Sequence, residues 1–443
     1  MPRVTIIGAG LAGSLLAIYL AKRGVEVAVY EARGDMRREE IAAGRSINLA
    51  LSDRGIEALR GVGMDEYMLA EAVPMYGRMV HSISGENKLL PYSGRKGEYI
   101  NSVSRAGLNI ALMNEAERYG VRIHFGRRCA RLDGGTGHAR FDDSSTVASD
   151  TLIATDGAGS AVRESMAELI KGFELAQTFL EHGYKELHIP AGPDRRFSLY
   201  TNALHIWPRH QFMMIALPNC DGSFTCTLFL TNHDPGKPAF DSLVDEASLM
   251  KFFQAEFPDA VPLMPTLVED FFHNPTGLLG TIKCWPWNVG GQALLLGDSA
   301  HAMVPFYGQG MNCAFEDVRV LDSLIEKHGT DWAIVYEEYG KLRKINADAI
   351  CDMAQENFYE MRDATADPVF QRKRELETKL EQTFPDYFSK YSMVTFREDL
   401  PYSVAKMRGN AQDAALMSIC AAVADVSELD LEEVMSRMRE LES

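Results

Sequence analysis

The stretch Val4-Thr5-Ile6-Ile7-Gly8-Ala9-Gly10-Leu11-Ala12-Gly13, taken with the chain as far as Tyr30-Glu31, decides the fold. Residues 4–7 are a short β-branched run, as expected of a strand buried on both faces. Residues 14–23 carry helical periodicity, and Gly24 stops it. Residues 25–30 form a second strand ending at Glu31, which completes a β-α-β unit within about thirty residues. A G-x-G-x-x-G pattern is weak alone. Between a strand and a helix, with an acidic residue at the next strand end, it marks a dinucleotide site. Gly8 makes the tight turn, Gly10 lets the backbone approach a pyrophosphate, and Gly13 lets helix and strand pack closely. The helix start adds free N–H groups that favour an anion. Glu31 stands where a carboxylate accepts hydrogen bonds from a ribose, and it would repel a 2′-phosphate.

Beyond this unit, residues 47–71 read as mostly helical, and residues 78–92 as strands around a Gly85-Glu86-Asn87 turn. Residues 105–120 are helical, 121–125 strand-like, and 151–155 a buried strand leading into Asp156-Gly157. The middle differs. Residues 185–189, 197–207, 212–217 and 223–230 are short alternating segments that suggest a mostly antiparallel sheet, with a helix at 249–257. Residues 293–296 return to buried-strand character, run into Gly297-Asp298 and precede a helix at 310–327. Further helices are expected at 330–361, 368–383, 402–424 and 429–441. The expected class is α/β. A discontinuous nucleotide domain takes residues 1–75, 100–180 and 285–330, a sheet-based substrate domain takes 76–99 and 181–284, and a helical region takes 331–443.

The 443 residues carry a net charge of −17, with 46% hydrophobic and 24% charged residues. This composition is that of a soluble globular protein. The acidic balance argues against nucleic acid, which needs clustered Lys and Arg, and against an anionic membrane surface. The apolar stretch 414–424 is far shorter than the roughly 20 residues that span a bilayer, and no membrane anchor or targeting segment is expected. The seven cysteines are scattered without a C-x-x-C, and there is no H-E-x-x-H, so no metal site is expected. Free thiols suit a reducing cytoplasm.

Two later patterns point to FAD over NAD. Asp156-Gly157 ends one strand and is followed by Ser160 and Arg163; Gly297-Asp298 ends another and leads to Pro305, Gly308-Gln309-Gly310 and a helix. An Asp at a strand end can bind ribitol hydroxyls, and a helix N-terminus can face the pyrimidine edge of a flavin. The chain holds a single dinucleotide fingerprint, so no second nucleotide domain is expected.

This order of motifs resembles the single-component aromatic hydroxylases, the class A flavoprotein monooxygenases, whose FAD domain is Rossmann-like and of the glutathione-reductase type. Within that group the chain resembles the kynurenine 3-monooxygenase family. The likeness is carried by residues 44–52 (Gly44-Arg45-Ser46-Ile47-Asn48-Leu49-Ala50-Leu51-Ser52), Arg78-Met79-Val80-His81, Gly183-Tyr184-Lys185-Glu186-Leu187 and Leu204-His205-Ile206-Trp207-Pro208. Residues 223–229 and 391–396 continue it to about residue 400.

The resemblance implies FAD contacts at Gly8, Gly10, Ala12, Gly13, Tyr30, Glu31, Ala32, Arg33, Ala50, Arg105, Cys129, Asp298, Met311 and Asn312. Arg105 would pair with the pyrophosphate, Cys129 would contribute backbone alone, and Met311 and Asn312 would meet the ring through backbone. It implies L-kynurenine as substrate, with its carboxylate at Arg78 and Tyr92, further contacts from Asn357 and Tyr391, and apolar walls from Phe306 and Met361. The implied reaction is NADPH- and O₂-dependent hydroxylation to 3-hydroxy-L-kynurenine through a flavin C4a-hydroperoxide, a step of tryptophan degradation. No side chain is assigned as nucleophile or general base, because the cofactor carries the chemistry.

Three rival functions fit parts of this pattern. A flavin hydroxylase of a substituted kynurenine or another 2-aminophenyl ketone would share the carboxylate clamp. A flavin halogenase is suggested by Trp285-Pro286-Trp287, but Asn288-Val289 stands where that class has Ile-Pro. A non-catalytic FAD-binding protein is disfavoured by the presence of both Arg78 and Tyr391.

Overall fold

The computed structural model describes residues 2–38, 48–133, 137–361 and 367–442. The part of the 44–52 motif at residues 44–47 lies outside the described residues. The chain forms two compact units. The first contains Met1–Ala70, Val103–Phe179 and Gly280–Ala354; the second contains Glu71–Ser102, Leu180–Leu279 and Gln355–Ser443. The sequence reading set residues 331–443 apart as a helical region. In the structure, those up to Ala354 fall within the first unit and those from Gln355 within the second.

The first unit is built on a six-stranded sheet in the order Asn288–Val289, Ala293–Leu295, Thr151–Ala154, Arg3–Ile7, Glu26–Tyr30, Arg122–His124. All neighbours are parallel except the edge strand Asn288–Val289. Thr151–Ala154 and Ala293–Leu295 are buried at every residue, and Arg3–Ile7 at all but its first. That is what a parallel sheet covered on both faces demands. The helix Leu11–Lys22 joins the first two strands, and Gly310–His328 follows the last. A small antiparallel sheet of Cys129–Asp133, His138–Phe141 and Thr146–Val147 completes the unit, and the sequence reading missed it. These strands are short and half exposed, so they lack a marked apolar period.

In the second unit, the strand Glu174–Ile189 from Leu180 onward pairs with Phe224–Thr231, then Phe212–Pro218, Leu204–Arg209, Gly77–His81 and Asn87–Pro91. The sheet is antiparallel except at one junction, where Leu204–Arg209 runs parallel to Gly77–His81 and aligns Leu204 with Arg78 and His205 with Met79. One face is buried by the helices Glu246–Glu256 and Leu267–His273, around Trp207, Met214, Leu228, Phe253 and Phe257. A second core gathers Leu376, Leu380, Leu416 and Met438 from the C-terminal helices, with Tyr387 from the connection after Pro368–Thr383.

Several boundaries differ from the sequence reading. Asn48–Leu51 is a strand and not the start of a helix. Of residues 197–207, only those from Leu204 join the sheet. Asn202 explains the late entry: its side chain donates to the Pro74 carbonyl at 2.8 Å and its own carbonyl accepts from Tyr76 N–H at 3.0 Å, so the segment is held by the distant stretch 74–76 before the ladder begins. The short helix Lys390–Thr395, capped by Ser389, carries Tyr391 and was also missed. No helix among the described residues is long and apolar enough to cross a membrane. Phe253 is fully buried in the second unit, so Phe253→Ala should cost about 3–5 kcal/mol of stability, read as a lowered urea midpoint.

Candidate functional site

Four signals singled out in the sequence stand at the carboxyl ends of neighbouring parallel strands. Gly8 follows Arg3–Ile7, Glu31 follows Glu26–Tyr30, Asp156 follows Thr151–Ala154, and Asp298 follows Ala293–Leu295. In an open α/β sheet this edge is where ligands bind.

The three glycines differ in their surroundings, as the dinucleotide reading requires. Gly8 has φ +101°, a conformation that disfavours other residues. A Cβ on Gly13 would overlap the Gly8 carbonyl oxygen and the Thr155 hydroxyl, so only glycine allows this approach of helix to strand. A Cβ on Gly10 would meet nothing within 4 Å: its backbone borders open space. Gly10 is also the N-cap of Leu11–Lys22, has no side chain to cap it, and the first helical turn holds no acid. The amides there, beside half-buried Ala12, are left for an external acceptor. The loop is pinned from behind, because Asn109 donates to the Ala9 carbonyl at 3.1 Å.

Glu31 is buried, and both its oxygens already accept hydrogen bonds. One accepts from Ala9 N–H at 2.9 Å, the other from Arg33 N–H at 2.9 Å and Arg33 Nε at 2.7 Å. Burial pushes this carboxyl up, but the Arg33 and Ala9 bonds outweigh it and hold it below its ordinary value. Ala32 lies half buried between them. Tyr30 turns inward and stacks on His124 at 4.7 Å. Cys129 is buried, its thiol pushed up to about 12 by burial and by Asp156, so it offers no thiolate. Arg105 opens the helix Arg105–Arg118, is exposed, and has no hydrogen-bonded carboxylate among the described residues.

The two later loops brace each other. Ser299 Oγ donates to Asp156 at 2.9 Å and accepts from Gly157 N–H at 3.1 Å, while Arg163 donates to the Ser299 carbonyl at 3.0 Å and to the Ala158 carbonyl at 2.5 Å. Asp298 is exposed to solvent, with protein packed closely around it. Its carboxyl is raised by burial, against the pull of Arg105 and His301. Gln309 gives Gly310–His328 no side-chain cap, and no acid occupies its first turn. The Asn312 side chain is consumed within the protein: it donates to the Ala50 and Gly308 carbonyls at 2.8 and 2.9 Å and accepts from Ser52 N–H at 3.0 Å. Asn312 is therefore left with its backbone to offer a ligand, and Ala50 lies beside Gly308. The open glycine loop, the two uncapped helix starts and the accessible Asp298 fit a flavin dinucleotide.

Sequence reasoning missed the residues that hold these loops. Asp317 accepts from Gly297 N–H at 3.3 Å, from Arg343 Nε at 2.6 Å, and pairs with His301 Nε2 at 2.6 Å. Arg343 also meets Glu316 at 3.0 Å, and Glu316 meets Arg54 at 3.0 Å. All five are buried. The available signal was the pair Glu316-Asp317 inside the apolar run 313–318. His301, Cys313 and Asp317 lie within 4.8 Å of one another, close enough to suggest a metal. However, Arg343 already bonds both Asp317 and Cys313 and supplies the positive charge. Trp287, from the Trp-Pro-Trp stretch, is fully buried and donates to the Cys284 carbonyl, which makes it core.

In the second unit, Arg78, Tyr92 and Tyr391 come together. The two rings stack at 5.4 Å with 12° between their planes, and the Arg78 guanidinium lies 5.6 Å from one centroid and 5.1 Å from the other. Burial raises both phenols, against the opposing pull of Arg78. The Tyr92 hydroxyl is buried without a hydrogen-bond partner. Arg78 has no carboxylate partner among the described residues. Asn357 and Met361 are buried and in contact, amide nitrogen to sulfur at 3.4 Å. Phe306 is buried in the first unit, on the turn Pro305–Tyr307.

Gly10→Ala should leave the fold intact but weaken FAD retention at least tenfold by intruding on the open space, whereas Gly13→Ala should impair folding itself; flavin absorbance and thermal unfolding separate the two. Asp317→Asn leaves His301 without its carboxylate and Arg343 with Glu316 alone, and should cost about 3–5 kcal/mol. Despite burial, His301 and Arg343 hold the Asp317 carboxyl below its ordinary value of 3.8. Its contribution is therefore complete above that pH and is lost as pH falls through the folded-state value, so the stability gap between wild type and variant should close below about pH 4.

Comparison with known proteins agrees with this geometry. The FAD binding domain family matches residues 1–207 and 283–352. Kynurenine 3-monooxygenase of Myxococcus xanthus (strain DK1622) is 48% identical, over 98% of this chain and 94% of that protein. The enzyme of the same name from Xanthomonas oryzae pv. oryzae (strain MAFF 311018) is 46% identical, over 96% and 94%. Among solved structures, Klebsiella pneumoniae HpxO complexed with FAD and uric acid aligns with a TM-score of 0.68 at 21% identity, covering 91% of this chain and 97% of that one. The tetrameric form of 2-methyl-3-hydroxypyridine-5-carboxylic acid oxygenase aligns with 0.67 at 19%, covering 86% and 97%. These two show the fold alone. With near-complete coverage at close to half identity, on a scaffold whose strand ends are shaped for FAD, the chain belongs to the kynurenine 3-monooxygenase family of FAD-dependent aromatic hydroxylases.

Proposed function

We propose that this chain hydroxylates L-kynurenine to 3-hydroxy-L-kynurenine with FAD as cofactor and NADPH and O₂ as co-substrates, as a step of tryptophan breakdown. The observation that carries the substrate reading is the Arg78 guanidinium standing over the stacked Tyr92 and Tyr391 rings with no carboxylate partner among the described residues. A planar guanidinium in that position matches a carboxylate bidentately, and kynurenine supplies one in its α-amino acid end.

The phenols complete the clamp. Burial keeps both protonated, so each can donate, and the unpartnered Tyr92 hydroxyl gains an acceptor when a carboxylate arrives. Asn357, with Met361 and Phe306 as apolar lining, is assigned to the substrate by family likeness. In the first unit, the Gly8–Gly13 loop and Arg105 receive the pyrophosphate, Glu31 and Arg33 the ribose, and Ala50, Asp298, Met311 and Asn312 the flavin end. Bound FAD supplies the activation of O₂. The ring is activated by its own amine, so the protein needs no general base. Its residues bind the amino-acid end, orient the ring and exclude water. Seven free cysteines support a cytoplasmic setting.

The test is NADPH oxidation by the yellow, FAD-loaded protein, with product identified. L-Kynurenine should accelerate it and yield the 3-hydroxy product; 2-aminoacetophenone, which lacks the amino-acid end, should do so poorly. No acceleration and no hydroxylated product with L-kynurenine would overturn the reading. Arg78→Ala should raise KM by roughly 10–100-fold, the worth of a hydrogen bond to a charged group, with FAD still bound. Arg78→Lys should recover only part of this, because an ammonium cannot fork onto a carboxylate.

A further inference from the structure

Two stretches of the sequence, Arg78-Met79-Val80-His81 and Leu204-His205-Ile206-Trp207-Pro208, meet in the second unit, and the substrate clamp uses only Arg78 from them. His81, His205 and Trp207 from them form a buried chain that ends at the exposed carboxylate of Asp259. His205 Nε2 lies 2.8 Å from the Tyr200 carbonyl, and His205 Nδ1 lies 2.8 Å from His81 Nε2. His81 Nδ1 lies 2.7 Å from Asp259 Oδ2, and Trp207 Nε1 donates to the same carboxylate at 3.0 Å. Both imidazoles are 1% exposed. The His81 ring stacks on Trp207 at 4.1 Å. The other charged groups around it are Arg209, whose Nη1 donates to the His81 carbonyl at 3.0 Å, and Glu256, 3.9 Å from Arg209.

The protons along this chain can be counted. A carbonyl only accepts, so His205 Nε2 must carry hydrogen. Burial pushes the His205 ring down to about 4, so it holds one proton at neutral pH and its Nδ1 is bare. His81 Nε2 must then donate to it. At the other end, Trp207 Nε1 donates to both oxygens of Asp259 at 3.0 Å each, and the side chain reaches solvent, where a carboxyl is ionised at neutral pH. An ionised carboxylate also only accepts. Both nitrogens of His81 therefore face acceptors.

We propose that His81 carries a proton on both ring nitrogens and that its ion pair with Asp259 is a positioning device for Arg78. The proposal rests on the reading that Arg78 binds the substrate carboxylate. Alternate residues of a strand face opposite sides, so His81 anchors the core face of the strand Gly77–His81 while Arg78 is presented on the other. That strand needs an anchor. Its outer neighbour Asn87–Pro91 is exposed at every residue, and its inner ladder to Leu204–Arg209 is only three pairs long. A slip of one residue would carry Arg78 to the wrong face. A charged pair reaching from the strand end to Asp259, beyond the helix Glu246–Glu256, opposes that slip.

The experiment is ¹⁵N NMR of the holoenzyme, histidine-labelled, at pH 7.5, together with kinetics of Asp259→Asn and Asp259→Glu. One histidine should show two protonated ring nitrogens, and the same signal should revert to a singly protonated ring in Asp259→Asn and vanish in His81→Gln. Asp259→Asn should raise KM for L-kynurenine about tenfold with kcat and FAD content retained, and Asp259→Glu should restore most of the difference. A bare nitrogen on His81 at pH 7.5, or an unchanged KM in Asp259→Asn, would overturn the proposal. If L-kynurenine does not accelerate NADPH oxidation by the unmodified enzyme, the substrate reading falls, and the NMR result still decides the protonation of His81.

Discussion

The first unit depends on one steric condition: nothing larger than hydrogen fits between helix Leu11–Lys22 and the chain at Gly8 and Thr155. Thr155 ties this crossing to the neighbouring strand, because its hydroxyl bonds the Ile7 and Gly8 carbonyls at 3.0 and 2.9 Å. The next residue is Asp156, which is bonded to Ser299. Ser299 belongs to the Gly297–Ser299 turn, and that turn is held by Asp317 from helix Gly310–His328. A continuous series of short contacts therefore runs from Gly13 to the helix whose start would meet the flavin ring. Close packing transmits position along such a series, since an interior at crystal-like density leaves little slack.

The second unit solves a different problem. It must present a charged guanidinium on an apolar platform without neutralising it. A carboxylate partner would satisfy Arg78 but consume the charge. Two stacked phenol rings stabilise the cation, by roughly 0.5–2 kcal/mol each depending on desolvation, without neutralising it. The parallel junction in an otherwise antiparallel sheet aligns Leu204 with Arg78. It also joins two segments far apart in sequence, so the position of the clamp is set by tertiary pairing.

This explains what was legible in the sequence. The glycine turn, Glu31, Asp156-Gly157 and Gly297-Asp298 were readable because each is a local signal at a strand end, and the sheet then gathers those ends. The helices Pro368–Thr383 and Gly310–His328 were readable from period alone. The contacts that fix the site were not. Arg54 to Glu316, Asp317 to Arg343 and His81 to Asp259 link positions with no shared periodicity, and a buried acid has the same letter as an exposed one. Residues 197–203 look strand-like yet stay out of the sheet, because Asn202 satisfies its neighbours first.

The net charge of −17 is at first awkward for a protein that must bind a dinucleotide and a carboxylate. The length scale resolves it. At physiological ionic strength exposed charges are screened beyond about 8 Å, so a ligand responds to the groups around it more than to the total. In the first unit the acids near the glycine loop are each engaged: Glu31 by Arg33 and Ala9, and Asp156 by Ser299. Arg105 keeps its charge available. In the second unit Arg78 does the same over its two rings. Locally, both sites favour an anion. The surplus of acid serves solubility, and selective pairing, with some cations tied to acids and a few withheld, makes binding of anions compatible with it.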